Sequence, residues 1–402
     1  MNVLVFNSGS SSLKYRLVDS TNGKDLCKGR LERLGEEHSH ARHQWLSGTG
    51  VRREQGEDYD SLDHSAALQH IYQHLETLAE QENLPSPEAI GHRVVHGGDR
   101  FRRAVAIDQN VITEIEQLAP LAPLHNPPAL AVINQCREHF PQLPQAAVFD
   151  TAFHQRMPAH ARRYAVPDHW YRDHRVQRYG FHGISHGYAA RAAAQQLGRP
   201  LEQLKLITLH LGNGASAAAI KNGHSVDTSM GMTPLEGLVM GTRSGDVDIA
   251  AALHVAREEG LDLGQLEQEL RQCSGLLGLC GSNDVRDISS RSDQGDAAAK
   301  LALAIYAYRI RKYIGAYIAV LGGLDALVFT AGVGENSAAV RAMACTDMQN
   351  LGISIDKARN RCPGLDGSKA IHTPGAPVTI LIVRANEELE IARQTMALLN
   401  AR

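Results

Sequence analysis

Short apolar runs rich in Val, Ile and Leu recur along the chain at 3–6, 146–149, 206–211, 326–329 and 378–383, each followed by Gly or by polar residues. Runs of this length bounded by turn signals predict buried strands. Between them, stretches with helical apolar spacing predict helices over 65–80, 185–197, 296–321 and 387–399. The last opens with Asn386 as an N-cap and acidic residues in its first turn. Alternation of the two patterns predicts α/β layers. The most polar stretch, 36–60, has the composition of an exposed excursion.

The first strand-turn-strand segment, NVLVFNSGSSSLKYRLVD, has a weak echo near the middle of the chain, LKLITLHLGNGASAAAIKNGHSVDT. Each is an apolar strand, a turn of Gly, Asn and Ser, and a second apolar strand. A repeated unit of this kind predicts two related halves, each offering a turn to a shared ligand; chance likeness between two hairpins is the plain alternative. The 402 residues are enough for two or three domains. Lys plus Arg number 41 against 44 Asp plus Glu, a formal charge of −3, so no global basic field exists to hold nucleic acid or anionic lipid. No basic leader and no apolar span of about 20 residues is present, which predicts no membrane association. Six dispersed cysteines (27, 136, 273, 280, 345 and 362) without a CxxC pair argue against a zinc ribbon and a disulfide scaffold and predict a cytoplasmic chain with reduced thiols.

Several residues could carry chemistry. Asn7 to Lys14, NSGSSSLK, combines small residues, hydroxyls and a terminal Lys as phosphate binding needs, although such clusters are also plain turns. His210, Leu211, Gly212, Asn213 and Gly214 repeat that logic. A third glycine turn, 331–337, follows an apolar run and precedes a helical one, an arrangement that suits a nucleotide but lacks both GxGxxG and GxxxxGK[ST] spacing. Arg93 and Arg243 sit among glycines that leave a guanidinium reachable for carboxylate or phosphate. Asp150 ends a strand, facing a ligand or serving as a buried cap. Two i,i+4 histidine pairs, His92/His96 and His182/His186, would share a helix face and invite a metal reading, against which the HExxH form is absent and Gly interrupts or follows both segments. His125 stands in a rigid Pro context, and Glu387 and Glu388 open the last helix, where acidic residues are favoured without any function.

Read together, NSGSSSLK, HRVVHGG, APLHNPP, FDTAFH, RYGFHG, HLGNGAS, DTSMGMTPLEGLVMGTRSGD, SGLLG, GVGENS and NEEL occur in the order found in acetate kinases, and the chain resembles that family from Val3 to its final helix. The resemblance implies membership of the acetate and sugar kinase, Hsp70 and actin superfamily: an α/β fold of two duplicated actin-like (ribonuclease H-like) domains with an interdomain nucleotide cleft. It implies an N-terminal domain of 1–150 completed by 387–402, and a nucleotide-binding domain of 151–386. The implied activity is reversible transfer of a phosphoryl group from ATP to acetate, giving acetyl phosphate and ADP, by direct in-line attack of the carboxylate in a cytoplasmic homodimer. Propionate or another short-chain acid is the alternative acceptor, since one methylene is worth only about 1–3 kcal/mol.

Carried over by position, the resemblance places Asn7 and Glu387 at a Mg²⁺ site, which Mn²⁺ could also fill, and Lys14 near the phosphates. It assigns ATP to His210, Leu211, Gly212, Asn213 and Gly214, to Asp284, Val285 and Arg286, and to Gly332, Val333, Gly334, Glu335 and Asn336. Arg93 would bind the substrate carboxylate, and Val95, Leu124, Phe181 and Pro234 its methyl group. Asp150, His182 and Arg243 complete the catalytic set. Three positions depart from the family pattern: Ile184 for Thr after FHG, Ala331 for Gly before the nucleotide turn, and Ala385 for Thr before NEE. Two other classes remain as contrasts, an ATP-driven shape switch and a metallohydrolase built on the histidine pairs.

Overall fold

The computed structural model describes residues 1–9, 11–47, 50–361 and 367–401; Ser10 of the first turn and Cys362 lie outside the described residues. The chain forms two compact units, Met1–Ala152 with Asn386–Arg402, and Phe153–Ala385.

The first unit is built on strands β1 (Asn2–Ser8), β2 (Ser12–Asp19), β3 (Lys24–Glu32), β4 (Ser39–Leu46), β5 (Arg52–Tyr59), β6 (Ala89–Val94), β7 (Val105–Ala106) and β8 (Gln145–Phe149), in the order β5-β4-β3-β2-β1-β6-β8-β7. β1, β6 and β8 run parallel and the other pairings are antiparallel. Central parallel strands are covered on both faces. That is why residues 3–6 and 146–149 form unbroken apolar runs, none more than 1% exposed. On one face Leu4 and Phe6 join a core with Leu68 and Ile71 of the helix His64–Glu82 and Val132 of the helix Asn126–His139. The first of these helices starts where Asp63 accepts a hydrogen bond from the Ala66 amide. Helix Glu387–Asn400 packs closely on β6, because Gly91 leaves room for it: a Cβ there would meet Thr395 Oγ1 at 2.7 Å and Ile391 Cγ2 at 2.8 Å.

The polar stretch 36–60 contains the whole of β4 and β5, an antiparallel extension of the sheet. β4 alternates buried and exposed residues at first, whereas β5 is exposed along most of its length. Inter-strand backbone bonding therefore holds a segment whose composition suggested solvent.

The second unit contains β9 (Lys205–Leu211), β10 (Ala215–Lys221), β11 (His224–Thr228), β12 (Ala326–Thr330), β13 (Ser368–Ala370) and β14 (Thr379–Val383), ordered β11-β10-β9-β12-β14-β13. This repeats β3-β2-β1-β6-β8-β7 with the same strand directions. The sequence echo is thus β1–β2 against β9–β10, and the β4–β5 hairpin is an addition to the first copy. Helix Gly183–Leu197 lays Ala189, Ala190 and Ala193 on Leu206, Ala218 and Ile220. Helix Ala297–Leu321 begins at Asp296, whose carboxylate accepts from the Ala298 and Ala299 amides. The segment 331–337 is more regular than the glycine turn its sequence predicts. It winds into a short helix, Ala331–Asn336, before the helix Ala338–Ala344.

Candidate active site

In the first unit the carboxyl ends of β1, β6 and β8 lie side by side, where parallel sheets present ligand-binding groups. They carry Asn7, Arg93 and Asp150. Arg93 donates to Asp150 Oδ2 from Nε at 3.1 Å and also from Nη2, and its Nη1 donates to Asn7 Oδ1 at 3.2 Å. The Asp150 side chain is 2% exposed, and its second oxygen, Oδ1, is buried with no hydrogen-bond partner. Arg93 has a pKa above its ordinary value: burial opposes the charge, but Asp150 and Glu387 overcome that penalty.

Glu387 opens the last helix behind Asn386, whose side chain accepts from the Leu389 amide. Burial pushes its carboxyl up to about 7, with Asp150 and Glu388 adding to the rise and Arg93 and Lys14 opposing it. Lys14 stands opposite Asn7 in the β1–β2 pair, with an exposed side chain.

The surrounding loops are fixed by bonds the sequence did not announce. Asn126 accepts from the His96 amide and donates to the His96 carbonyl, which locks the backbone just beyond Val95. His64 Nε2 lies 3.0 Å from the Gly9 carbonyl and braces the first turn. Val95 is buried, whereas Leu124 is 55% exposed. The helical premise for His92/His96 fails, because His92 lies in β6 with its Nε2 bonded to Gln145.

In the second unit His182 caps the helix Gly183–Leu197 with left-handed backbone, φ 54°. That region costs a non-glycine residue conformational strain. Its Nδ1 meets Ser216 Oγ at 2.9 Å, and its ring stacks on His210 with centroids 4.1 Å apart. Arg243 Nη1 donates to the Pro234 carbonyl at 3.1 Å. Burial, aided by Arg271, lowers the pKa of this guanidinium. The two side chains converge on Gly214: a Cβ there would lie 3.5 Å from His182 Nε2 and 3.6 Å from Arg243 Nη1. Phe181 beside them is buried and Pro234 is half-buried.

A cavity of about 940 Å³ is lined by the turn that precedes Gly214. It brings together Gly212 and Asn213, then Asp284, Val285 and Arg286, then Gly332, Val333 and Asn336, three segments far apart in sequence. Its size suits a nucleotide. Asp284 caps the helix Val285–Asp293, and Arg286 holds its carboxyl down at about 2. The expected residues His210, Leu211, Gly214, Gly334 and Glu335 do not line it: Leu211 and Gly334 are buried, His210 Nδ1 meets Ser185 Oγ at 2.8 Å, Gly214 faces His182 and Arg243, and Glu335 accepts from the Ala385 amide at 2.8 Å. Asn283 and Ser289 line the cavity without having been singled out from sequence, since polar residues at a helix start carry no distinguishing signal.

The Acetokinase family profile matches residues 2–393. An acetate kinase of Streptomyces coelicolor is 50% identical over 400 residues, covering 99% of this chain and 97% of that one. Among solved structures, an acetate kinase of Porphyromonas gingivalis is similar with TM-score 0.91 and 41% identity, covering 99% of both chains. A propionate kinase of Francisella tularensis has the same TM-score at 37% identity and the same coverage.

Proposed function

The chain belongs to the acetokinase family, and from that premise we propose how its residues transfer a phosphoryl group between ATP and acetate. The reaction joins acetate and ATP to acetyl phosphate and ADP. Acetate is already an anion at neutral pH, so attack on the γ-phosphorus needs no strong base. It needs two negative groups held in line and neutralised.

Arg93 supplies the first neutralisation. A guanidinium has five N–H donors; three are engaged by Asp150 and Asn7, leaving two for a carboxylate. The observation that carries the assignment is this arrangement, a guanidinium pinned by a buried aspartate with donors to spare. Val95 and Phe181 are the buried apolar candidates for the methyl group, with Leu124 and Pro234 more exposed. Asp150 orients Arg93 and is no obligatory base. His182 and Arg243, converging on Gly214, stabilise charge on the transferred group.

The residues fit a magnesium ion. Asn7 Oδ1, the orphaned Asp150 Oδ1 and the Glu387 carboxyl are hard oxygen donors, and Mg²⁺ prefers a few such groups together with water and phosphate oxygens. Among the described residues no group of three or more His, Cys, Asp or Glu forms a metal cage. Asn7 and Glu387 would hold the ion, and when bound it neutralises charge on the phosphates; Mn²⁺ could substitute. The chain works as a homodimer, a reading supported by Ile249 and Leu263, 74% and 82% exposed, on and just beyond a helix with no buried residue. A cytoplasmic location is supported by free thiols at Cys27, Cys136, Cys273, Cys280 and Cys345. No helix among the described residues is long and apolar enough to cross a membrane.

Trapping acyl phosphate with hydroxylamine tests the reading directly. Reactions with ATP, Mg²⁺ and acetate, propionate or butyrate should give acetyl hydroxamate as the dominant product, absent from an ATP-only control. ATP hydrolysis with no acyl phosphate would reject it.

A further inference from the structure

The sheet face beneath His182 carries a buried chain of polar groups, with the rings of His154 and His210 beside it. Thr208, His210 and Ser216 share this face, because 208 and 210 alternate along β9 and Ser216 pairs with His210. Thr208 Oγ1 lies 2.7 Å from His186 Nδ1, His186 Nε2 lies 2.8 Å from Ser216 Oγ, and Ser216 Oγ lies 2.9 Å from His182 Nδ1. Thr208, His186 and Ser216 are each 0% exposed.

The direction of these bonds follows from counting protons. A buried hydroxyl hydrogen left without an acceptor keeps its full desolvation cost. Among the described residues, His186 Nδ1 is the acceptor in reach of the Thr208 hydroxyl. Thr208 therefore donates to Nδ1, which must be bare. Burial, with His154 and His210 nearby, holds the His186 pKa well below its ordinary value, so the ring is neutral and its hydrogen sits on Nε2. Nε2 donates to Ser216 Oγ, and the serine hydrogen then has His182 Nδ1 as its acceptor. Reversing the chain would leave the Thr208 hydrogen without a partner.

We propose that His186 is a positioning residue for phosphoryl transfer: through Ser216 it holds neutral His182 as the tautomer with its hydrogen on Nε2, a donor toward the transferred group. This rests on the reading of His182 as a phosphoryl-contacting ring. The arrangement gives a reason for the histidine pair that metal ligation does not supply. The helix places His182 and His186 so that one serine hydroxyl serves both rings.

Two measurements test it. Nitrogen NMR of the full chain with labelled histidine, the His182 signals being assigned by their loss in His182→Gln, should show Nδ1 unprotonated and Nε2 protonated at neutral pH. A protonated Nδ1 would overturn the proposal without any dependence on variants that fold poorly. In kinetics, Ser216→Ala and His186→Asn should lower kcat about 10- to 100-fold, as misplacement of a catalytic group does, with both KM values nearly unchanged. His186→Gln, whose amide nitrogen reaches the Nε2 position, should restore most of the loss. Equal kcat in the Asn and Gln variants would overturn the positioning role. Failure of the underlying reading shows separately, as an unchanged kcat in His182→Gln; that would remove the catalytic half of the proposal and leave the tautomer to the NMR result.

Discussion

Gly214→Ala separates folding from catalysis at one atom. The backbone at Gly214 is outside the left-handed region, and the added methyl would meet His182 Cε1 at 3.4 Å, His182 Nε2 at 3.5 Å and Arg243 Nη1 at 3.6 Å, all ordinary van der Waals distances. Folding should tolerate it. Replacing Gly by Ala where the conformation is allowed stabilises a chain by about 0.4–1 kcal/mol through the unfolded state. Catalysis should not tolerate it, because a phosphoryl oxygen bonded to both side chains must come within about 2.7–3.1 Å of their nitrogens. A carbon fixed beside the same two nitrogens competes for that space. Displacing the oxygen should cost about 10²–10³ in kcat, the range seen when one such donor is removed. Hydroxamate kinetics beside a thermal melt read both quantities. A kcat within threefold of the parent would show that His182 and Arg243 do not frame the transferred group, and a collapsed melting temperature would show that the space around Gly214 has been misjudged.

Three other perturbations have defined outcomes. Arg93→Ala strands the buried Asp150 carboxylate, so urea unfolding should show a loss of about 3–5 kcal/mol; a loss under 1 kcal/mol would mean the pair is not buried in solution. Ala331 has φ 65°, a region costing an L-residue about 1–2 kcal/mol, and after the unfolded-state offset Ala331→Gly should raise stability by roughly 0.5–1 kcal/mol; a lowered denaturation midpoint contradicts this. His92 is buried, its Nδ1 has no hydrogen-bond partner, and burial pushes its pKa down to about 4, against the rise favoured by Gln145. The unfolded chain then binds more protons between about pH 6.5 and 4, and stability falls by up to about 3 kcal/mol as pH drops through that window. His92→Gln should flatten this slope in unfolding measurements from pH 7 to 4, and an unaltered slope would assign the acid sensitivity elsewhere.

Much of the frame was legible because its causes are local. The runs at 3–6 and 326–329 marked strands covered on both faces, and Asn386 marked a helix start through a bond to its own third neighbour. The echo between the two hairpins stood for a duplicated sheet, since each copy must repeat the same strand, turn and strand to make the same ladder. The stretch 36–60 was harder to read, because β5 gains its order from backbone bonds to β4, which composition does not record.

The site shows the same division. Residue types and motif order singled out Arg93, Asp150, His182 and Arg243. Sequence could not show that Asp150 keeps one oxygen unpartnered, or that Thr208 settles the protons on two histidines. Those properties belong to pairs of groups brought together by pleat and helix pitch. A hydrogen bond or a desolvated charge is decided by what lies within a few ångströms, and in a folded chain most of those neighbours are distant in sequence.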